Sequence, residues 1–180
     1  DHYGGSIENR NRFAVEVIEA VCAAVGADFP IILRWSQWKQ QDYTARLAVT
    51  PEELERFLLP LSEAGVDIFH CSQRRFWEPE FAGSDLNLAG WTQKITGKPA
   101  ITVGSVGLDA DFIPKPGELT FKEADPASLD TLLHRLDKNE FDLVAVGRAL
   151  ISNPSWVNLV QAKRMDELKP FRKEHLGTLI

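Results

Sequence analysis

Apolar residues at Phe13, Val17, Ala20, Val21 and Ala24 recur at helical spacing between Ser6 and Gly26. That pattern predicts a helix capped by a hydroxyl at its start and ended by a glycine able to turn left-handed. Pro30-Ile31-Ile32-Leu33-Arg34-Trp35-Ser36 is a short apolar run between proline and polar residues, as expected of a strand buried on both faces. Thr50-Pro51-Glu52-Glu53 sets a threonine cap, a first-turn proline and a glutamate three residues past the cap in front of Leu54, Phe57, Leu58 and Leu61. A second helix therefore runs up to Gly65. The alternation continues with a strand over 66–72, a helix from Leu86 to Ile95 ended by Gly97, and a strand from Lys98 to Gly104. Asp125-Pro126 is expected to open a helix with Leu129, Leu132, Leu133 and Leu136, Asp142 to Gly147 a fourth strand, and Asn153-Pro154 to cap a last helix with Trp156, Leu159 and Val160.

Strands starting near residues 30, 66, 99 and 142 make the chain one helix followed by four strand–helix units. Such long crossovers imply an α/β fold with a parallel sheet. Two architectures fit: an open doubly wound sheet, or half of an eight-stranded barrel whose complete form takes about 250 residues. Residues 105–124, with Gly107, Pro114, Pro116 and Gly117, read as a long irregular loop, and 166–180 as a short tail. The whole of 1–180 is expected to form a single domain.

Composition narrows the function classes. The 180 residues are 44% apolar and 26% charged, an ordinary globular mixture. A net charge of −6, with basic residues gathered no further than pairs such as Arg172-Lys173, gives no nucleic-acid footprint. Cys22 and Cys71 stand alone, so neither a disulfide framework nor a metal site is indicated, and both thiols are expected to be buried small hydrophobes. No apolar run approaches the ~18 residues of a membrane span, and Asp1-His2-Tyr3-Gly4-Gly5 lacks signal-peptide character. A cytoplasmic protein, without membrane or nucleic-acid partners, is the expectation.

In both architectures ligands bind at the C-terminal ends of the strands. Arg34 lies there among apolar neighbours, either as a cation facing negative charge on a ligand or as one half of a buried ion pair. His70, Cys71 and Ser72 end the second strand, before the cationic and aromatic Arg74-Arg75-Phe76-Trp77. That loop could cover a planar ligand or simply pack, and His70 could be a catalyst or a hydrogen-bonded core residue. Gly104-Ser105-Val106-Gly107 and Gly147-Arg148 directly follow apolar strands. Glycine lets backbone N–H groups approach an anion, serine adds a hydroxyl and arginine a planar fork of donors, which together favour phosphate.

Asp1-His2-Tyr3-Gly4-Gly5-Ser6-Ile7-Glu8-Asn9-Arg10-Asn11-Arg12-Phe13 closely resembles the D-x-Y-G-G-S-x-E-N-R-x-R-F segment of the old yellow enzyme family, the FMN-dependent NAD(P)H:flavin oxidoreductases or ene-reductases. The resemblance continues, in order, through Leu33-Arg34-Trp35-Ser36, Gly65-Val66-Asp67, Thr102-Val103-Gly104 and residues 146–154, Val-Gly-Arg-Ala-Leu-Ile-Ser-Asn-Pro. It implies a (βα)8 barrel with FMN at its C-terminal mouth, reduced by NAD(P)H and passing hydride to an alkene conjugated to a carbonyl or nitro group. The four strands would be strands five to eight. Arg34 would stand beside the flavin N1 and O2, while Gly104, Ser105, Gly147 and Arg148 would hold the FMN phosphate. Phe76 and Trp77 would line the mouth on the substrate side.

The family's first four strands are absent from this chain, and with them the His/Asn or His/His pair that binds the substrate carbonyl and the tyrosine proton donor. No catalytic residue is therefore located, and neither His70 nor Tyr43 replaces one. The start inside a family motif implies an excised, engineered or proteolysed half of a longer parent. A half-barrel leaves strand edges and an apolar face open, so its expected partner is the N-terminal half-barrel or a second copy of itself. The resemblance implies an FMN-binding half of an oxidoreductase, complete only with its other half. The alternatives are a non-catalytic assembly fragment that at most binds FMN or phosphate, and an unrelated doubly wound phosphate-ester binder.

Overall fold

The computed structural model describes residues 2–39, 42–111 and 122–177. The first helix forms as α1 (Ile7–Val25), where the Ser6 hydroxyl accepts a hydrogen bond from the Asn9 N–H at 3.3 Å and Gly26 follows at a φ of 87°. Helix α2 (Pro51–Glu63) starts with a reciprocal cap: the Thr50 hydroxyl accepts from the Glu53 N–H at 3.2 Å, and the Glu53 carboxylate accepts from the Val49 N–H at 2.8 Å. The two helices pack together, and the Asn11 amide donates to the Phe57 carbonyl at 2.6 Å. Helix α3 (Leu88–Thr96) is capped by Asn87 and ends at Gly97 in the left-handed conformation.

Strands β1 (Ile32–Ser36), β2 (Ile68–Ser72), β3 (Ala100–Val103) and β4 (Leu143–Val144) form one parallel sheet in the order β1-β2-β3-β4. A doubly wound sheet reverses its strand order at a switch point; here the order never reverses, which removes that architecture. The register aligns Arg34, His70, Ile101 and Leu143 across the four strands. Because side chains alternate along a strand, these residues share one face, and Trp35, Phe69, Cys71, Ala100 and Thr102 share the other. The second face is buried, with the apolar members packed in a core with Leu54, Leu58 and Leu61 of α2 and Leu88 and Ala89 of α3.

Burial of the strands on both faces is therefore not found. Helices cover one face, while Ile32 and Leu143 on the other are about half exposed, at 54% and 49%. The stripe expected to bury α1 also points elsewhere, since Phe13 is 64% exposed and Val17 and Val21 are exposed with it. Helix α1 instead buries Ile7, Asn11 and Ile18. It carries apolar residues around much of its circumference, so periodicity alone did not select the side that meets α2. Among the exposed apolar residues, Phe13, Val17, Val21 and Ile32 lie on the elements at one edge of the sheet and Leu143 at the other.

Three further differences lie in the C-terminal third. Asp125-Pro126 does not open a helix: Asp125 exchanges hydrogen bonds with Asp109 and Pro126 bridges to Leu108, so α4 (Asp130–Asp137) starts only after the Ser128 hydroxyl has accepted from the Asp130 N–H. Strand β4 has two residues where 142–147 was expected, because the chain turns at Gly147 into a short helix, α5 (Arg148–Ser152). Asn153 does not cap α6 (Trp156–Gln161); its amide donates to the Ala149 and Lys169 carbonyls and its oxygen accepts from the Lys169 N–H. Of the loop expected over 105–124, residues 112–121 lie outside the described residues, as do 178–180 of the tail. The described tail returns to the loop, where Phe171 and Ala124 exchange backbone hydrogen bonds at 2.8 and 3.2 Å.

Leu58→Ala, which hollows the helix-covered core, is expected to lower the unfolding free energy by about 2–5 kcal/mol in urea denaturation. Phe13→Ser should change it by less than about 0.5 kcal/mol while reducing self-association in light scattering. A large loss of stability from Phe13→Ser would contradict the exposed position of that face.

Candidate functional site

Parallel strands bring all their C-terminal ends to one edge of the sheet, and there a cleft of about 250 Å³ opens. Arg34, Gly104, Ser105, Gly147 and Arg148 all line it, although they come from three different strand ends. Gly104 has a φ of 133°, and a Cβ there would lie 2.7 Å from the Gln73 carbonyl oxygen. Only glycine lets the loop after β2 cross this closely. Ser105 continues the turn at a φ of 51°. Among the described residues, the backbone N–H groups of Ser105, Val106 and Gly147 make no hydrogen bond, and all three residues line the cleft. Backbone donors without a partner are an anion-binding feature.

The side chains are already partly committed. The Ser105 hydroxyl lies 3.2 Å from the Arg74 carbonyl and 3.1 Å from the Ala110 carbonyl, so it joins two loops. Arg148 donates through Nη2 to the Ala110 carbonyl at 2.6 Å and through Nη1 to the Asp111 carbonyl at 3.1 Å. Burial lowers its pKa from the usual arginine range, opposed by the carboxylates of Asp111 and Asp109. Arg34 is exposed and makes one long contact, 3.5 Å to the Ser72 hydroxyl, with no carboxylate partner among the described residues. The buried ion pair that was one reading of Arg34 is therefore not formed.

Sequence reasoning missed the rest of the wall. Asp111, 6% exposed, accepts from Arg74 at 2.5 Å and from Arg75 at 2.7 and 3.1 Å. The Arg74 guanidinium also lies 3.9 Å above the Tyr43 ring, whose neighbour Trp38 meets it edge-on at 5.0 Å. Among the described residues the cleft thus carries three guanidinium groups, from Arg34, Arg74 and Arg148, against the single carboxylate of Asp111, and their field favours an anion. Arg74 belonged to a noticed cationic stretch; Asp111 and Trp38 lie in irregular segments with no periodicity to mark them.

Phe76 and Trp77 are not on this cleft. Phe76 is buried, 3% exposed and edge-on to Trp77, and the pair borders a separate hollow with Leu108 and Thr131. Packing in the core accounts for Phe76, because the loop's backbone is drawn inward where its N–H donates to the Gly104 carbonyl at 3.1 Å. His70 lies in register with Arg34 on the open face, and its Nε2 is buried without a partner among the described residues. Burial, then the nearby Arg34 charge, lowers its pKa below 6.5. Cys71 is fully buried, which pushes its thiol up to about 12 and keeps it neutral; Cys22 is only half-buried.

Comparison with known proteins places this geometry. A profile of the NADH:flavin oxidoreductase / NADH oxidase family matches residues 1–115. An NADH oxidase of Thermoanaerobacter brockii is 30% identical over 99% of this chain and 25% of its own length. A bilirubin reductase of Clostridium symbiosum is 26% identical over 94% of this chain and 43% of its own length. The old yellow enzyme homologue of Zymomonas mobilis superimposes with a TM-score of 0.67 at 19% identity, covering all of this chain and 44% of that one. The chain thus spans less than half the length of these proteins, and its sheet corresponds to half of the parallel barrel of the superimposed structure.

Two outcomes follow from the site. Because its pKa is depressed in the folded state, His70 takes up its proton more readily when unfolded; its contribution to stability is full above pH 6.5 and is lost as the pH falls below that value. His70→Asn should flatten this part of the slope in urea midpoints measured from pH 7.5 to 5.5, and an unchanged slope would refute the assignment. Gly104→Ala, forced to a positive φ against a carbonyl, should cost about 1–3 kcal/mol in the same assay.

Proposed function

Since the chain belongs to the NADH:flavin oxidoreductase / NADH oxidase family, we propose that residues 1–180 form its C-terminal half-barrel and hold the phosphate end of FMN. The observation that carries this reading is the cleft after β3 and β4, where Ser105, Val106 and Gly147 offer unspent N–H groups beside Arg148. A Cβ at Gly104 would close the approach, so this turn keeps the backbone accessible. The group fits by charge and by shape. A dianionic phosphate suits the three guanidiniums and one carboxylate that the described residues place there, and the aromatic wall of Trp38 and Tyr43 suits a planar system.

The volume also agrees with a half-site. About 250 Å³ is below the roughly 300–1,000 Å³ of complete small-molecule pockets, so the remainder of the flavin would lie against the N-terminal half. Bound FMN would supply hydride transfer from NAD(P)H to an activated alkene. In that complex Ser105, Val106 and Gly147 would bind the phosphate through their backbone, and Arg148 would neutralise it. Arg34, exposed and without a carboxylate partner, would offset negative charge on the ring. The substrate's carbonyl-binding donors and proton donor would come from the other half, so turnover requires that half. The exposed apolar residues on α1, β1 and β4 are the surface it would cover, or a second copy would cover in its place.

FMN titration of the chain, followed by quenching of flavin fluorescence, tests the reading. Saturable binding is expected, weakened roughly 10- to 100-fold by Arg148→Ala, as for loss of a charge-assisted hydrogen bond worth about 1.5–3 kcal/mol. Absence of binding would leave a non-catalytic assembly fragment.

A further inference from the structure

The Arg148 guanidinium is held from two directions, and one of them comes from the far end of the chain. Its edge donates to Ala110 and Asp111 on the outgoing limb of the loop after β3, and to the Lys122 carbonyl, at 3.4 Å, on the returning limb. Its Cζ lies over the ring of Phe171, 5.5 Å from the centroid. Phe171 is fully buried, and its two backbone hydrogen bonds to Ala124 fix the returning limb two residues beyond Lys122. Arg172 adds a bond to Asp125 at 2.9 Å on the same limb. Asn153, at the end of α5 where Arg148 starts, anchors the tail through Lys169. Ring and backbone of one residue thus act on the same guanidinium.

We propose that Phe171 is a positioning residue for Arg148 and thereby sets the affinity for the phosphate end of the flavin, a role that rests on the binding reading given above. An arginine side chain is long and loses much rotamer freedom when it binds. One already lying over a ring and tied to both loop limbs has lost that freedom beforehand, so binding an anion costs less. Core packing by Phe171 alone would act on every part of the ligand equally. Positioning of Arg148 acts only on the phosphate.

The test compares FMN with riboflavin, which lacks the phosphate, by fluorescence titration of the full chain well below each variant's unfolding midpoint. Phe171→Leu is expected to weaken FMN binding roughly three- to tenfold, the scale of a cation–π contact, with riboflavin binding unchanged. Phe171→Tyr keeps the ring and should stay within about twofold of the unsubstituted chain for FMN. In the background of Arg148→Ala, Phe171→Leu should add no further loss. Equal weakening of both flavins by Phe171→Leu, or additive losses in the double variant, would reduce Phe171 to a core residue and overturn the proposal. Failure of Arg148→Ala to weaken FMN would instead overturn the phosphate reading itself.

Discussion

A parallel sheet whose strand order never reverses carries all its crossover helices on one side. That constraint governs the rest of the molecule. It buries Trp35, Phe69, Cys71 and Ala100 beneath α2 and α3 and leaves Ile32, Arg34, His70, Ile101 and Leu143 on a face that no described helix covers. The depressed pKa of His70 belongs to that face, where a half-buried ring stands beside a guanidinium without a hydrogen-bond partner for Nε2 among the described residues. Exposed apolar residues at both sheet edges have the same origin, because each edge strand lacks the neighbour that a closed barrel would give it.

The cleft depends on the constraint too, since only parallel strands deliver all their C-terminal loops to a single edge. Those loops are stapled by arginines. Arg74 and Arg75 hold the Asp111 carboxylate, Arg148 holds the carbonyls of Ala110 and Asp111, and Arg172 holds Asp125 on the returning limb. A buried carboxylate is tolerable only when so paired. The pairing brings an excess of positive charge to the cleft wall. Structure and anion preference are thus two consequences of one cluster.

Local signals were legible where a few neighbouring residues carried all the chemistry. Ser6 and Thr50-Pro51 cap helices as their side chains require, and the two glycine turns stand at the strand ends where the alternation put them; Asn87, read as lying inside a helix from Leu86, is instead the cap of α3. Signals that depend on a distant partner were not legible. The apolar pattern of α1 named Phe13, Val17 and Val21, and α2 met the adjacent side, with Ile7, Asn11 and Ile18. Asn153 resembled a helix cap but was taken by Lys169, sixteen residues away. Phe76 resembled a loop aromatic but was drawn inside when its N–H met Gly104.

The sequence by itself determined the order of the four strands and of the helices other than α5, the parallel sense of the sheet, the family motif and the five positions around the cleft, because caps, periodicity and glycine turns act over a few residues. Tertiary structure alone decided which face of each element is buried, that Asp111 and Phe171 belong to the arginine cluster, and that Arg34 stands without a carboxylate partner among the described residues. Those outcomes arise from contacts between segments tens of residues apart, and no local pattern encodes which of several apolar or charged candidates will meet.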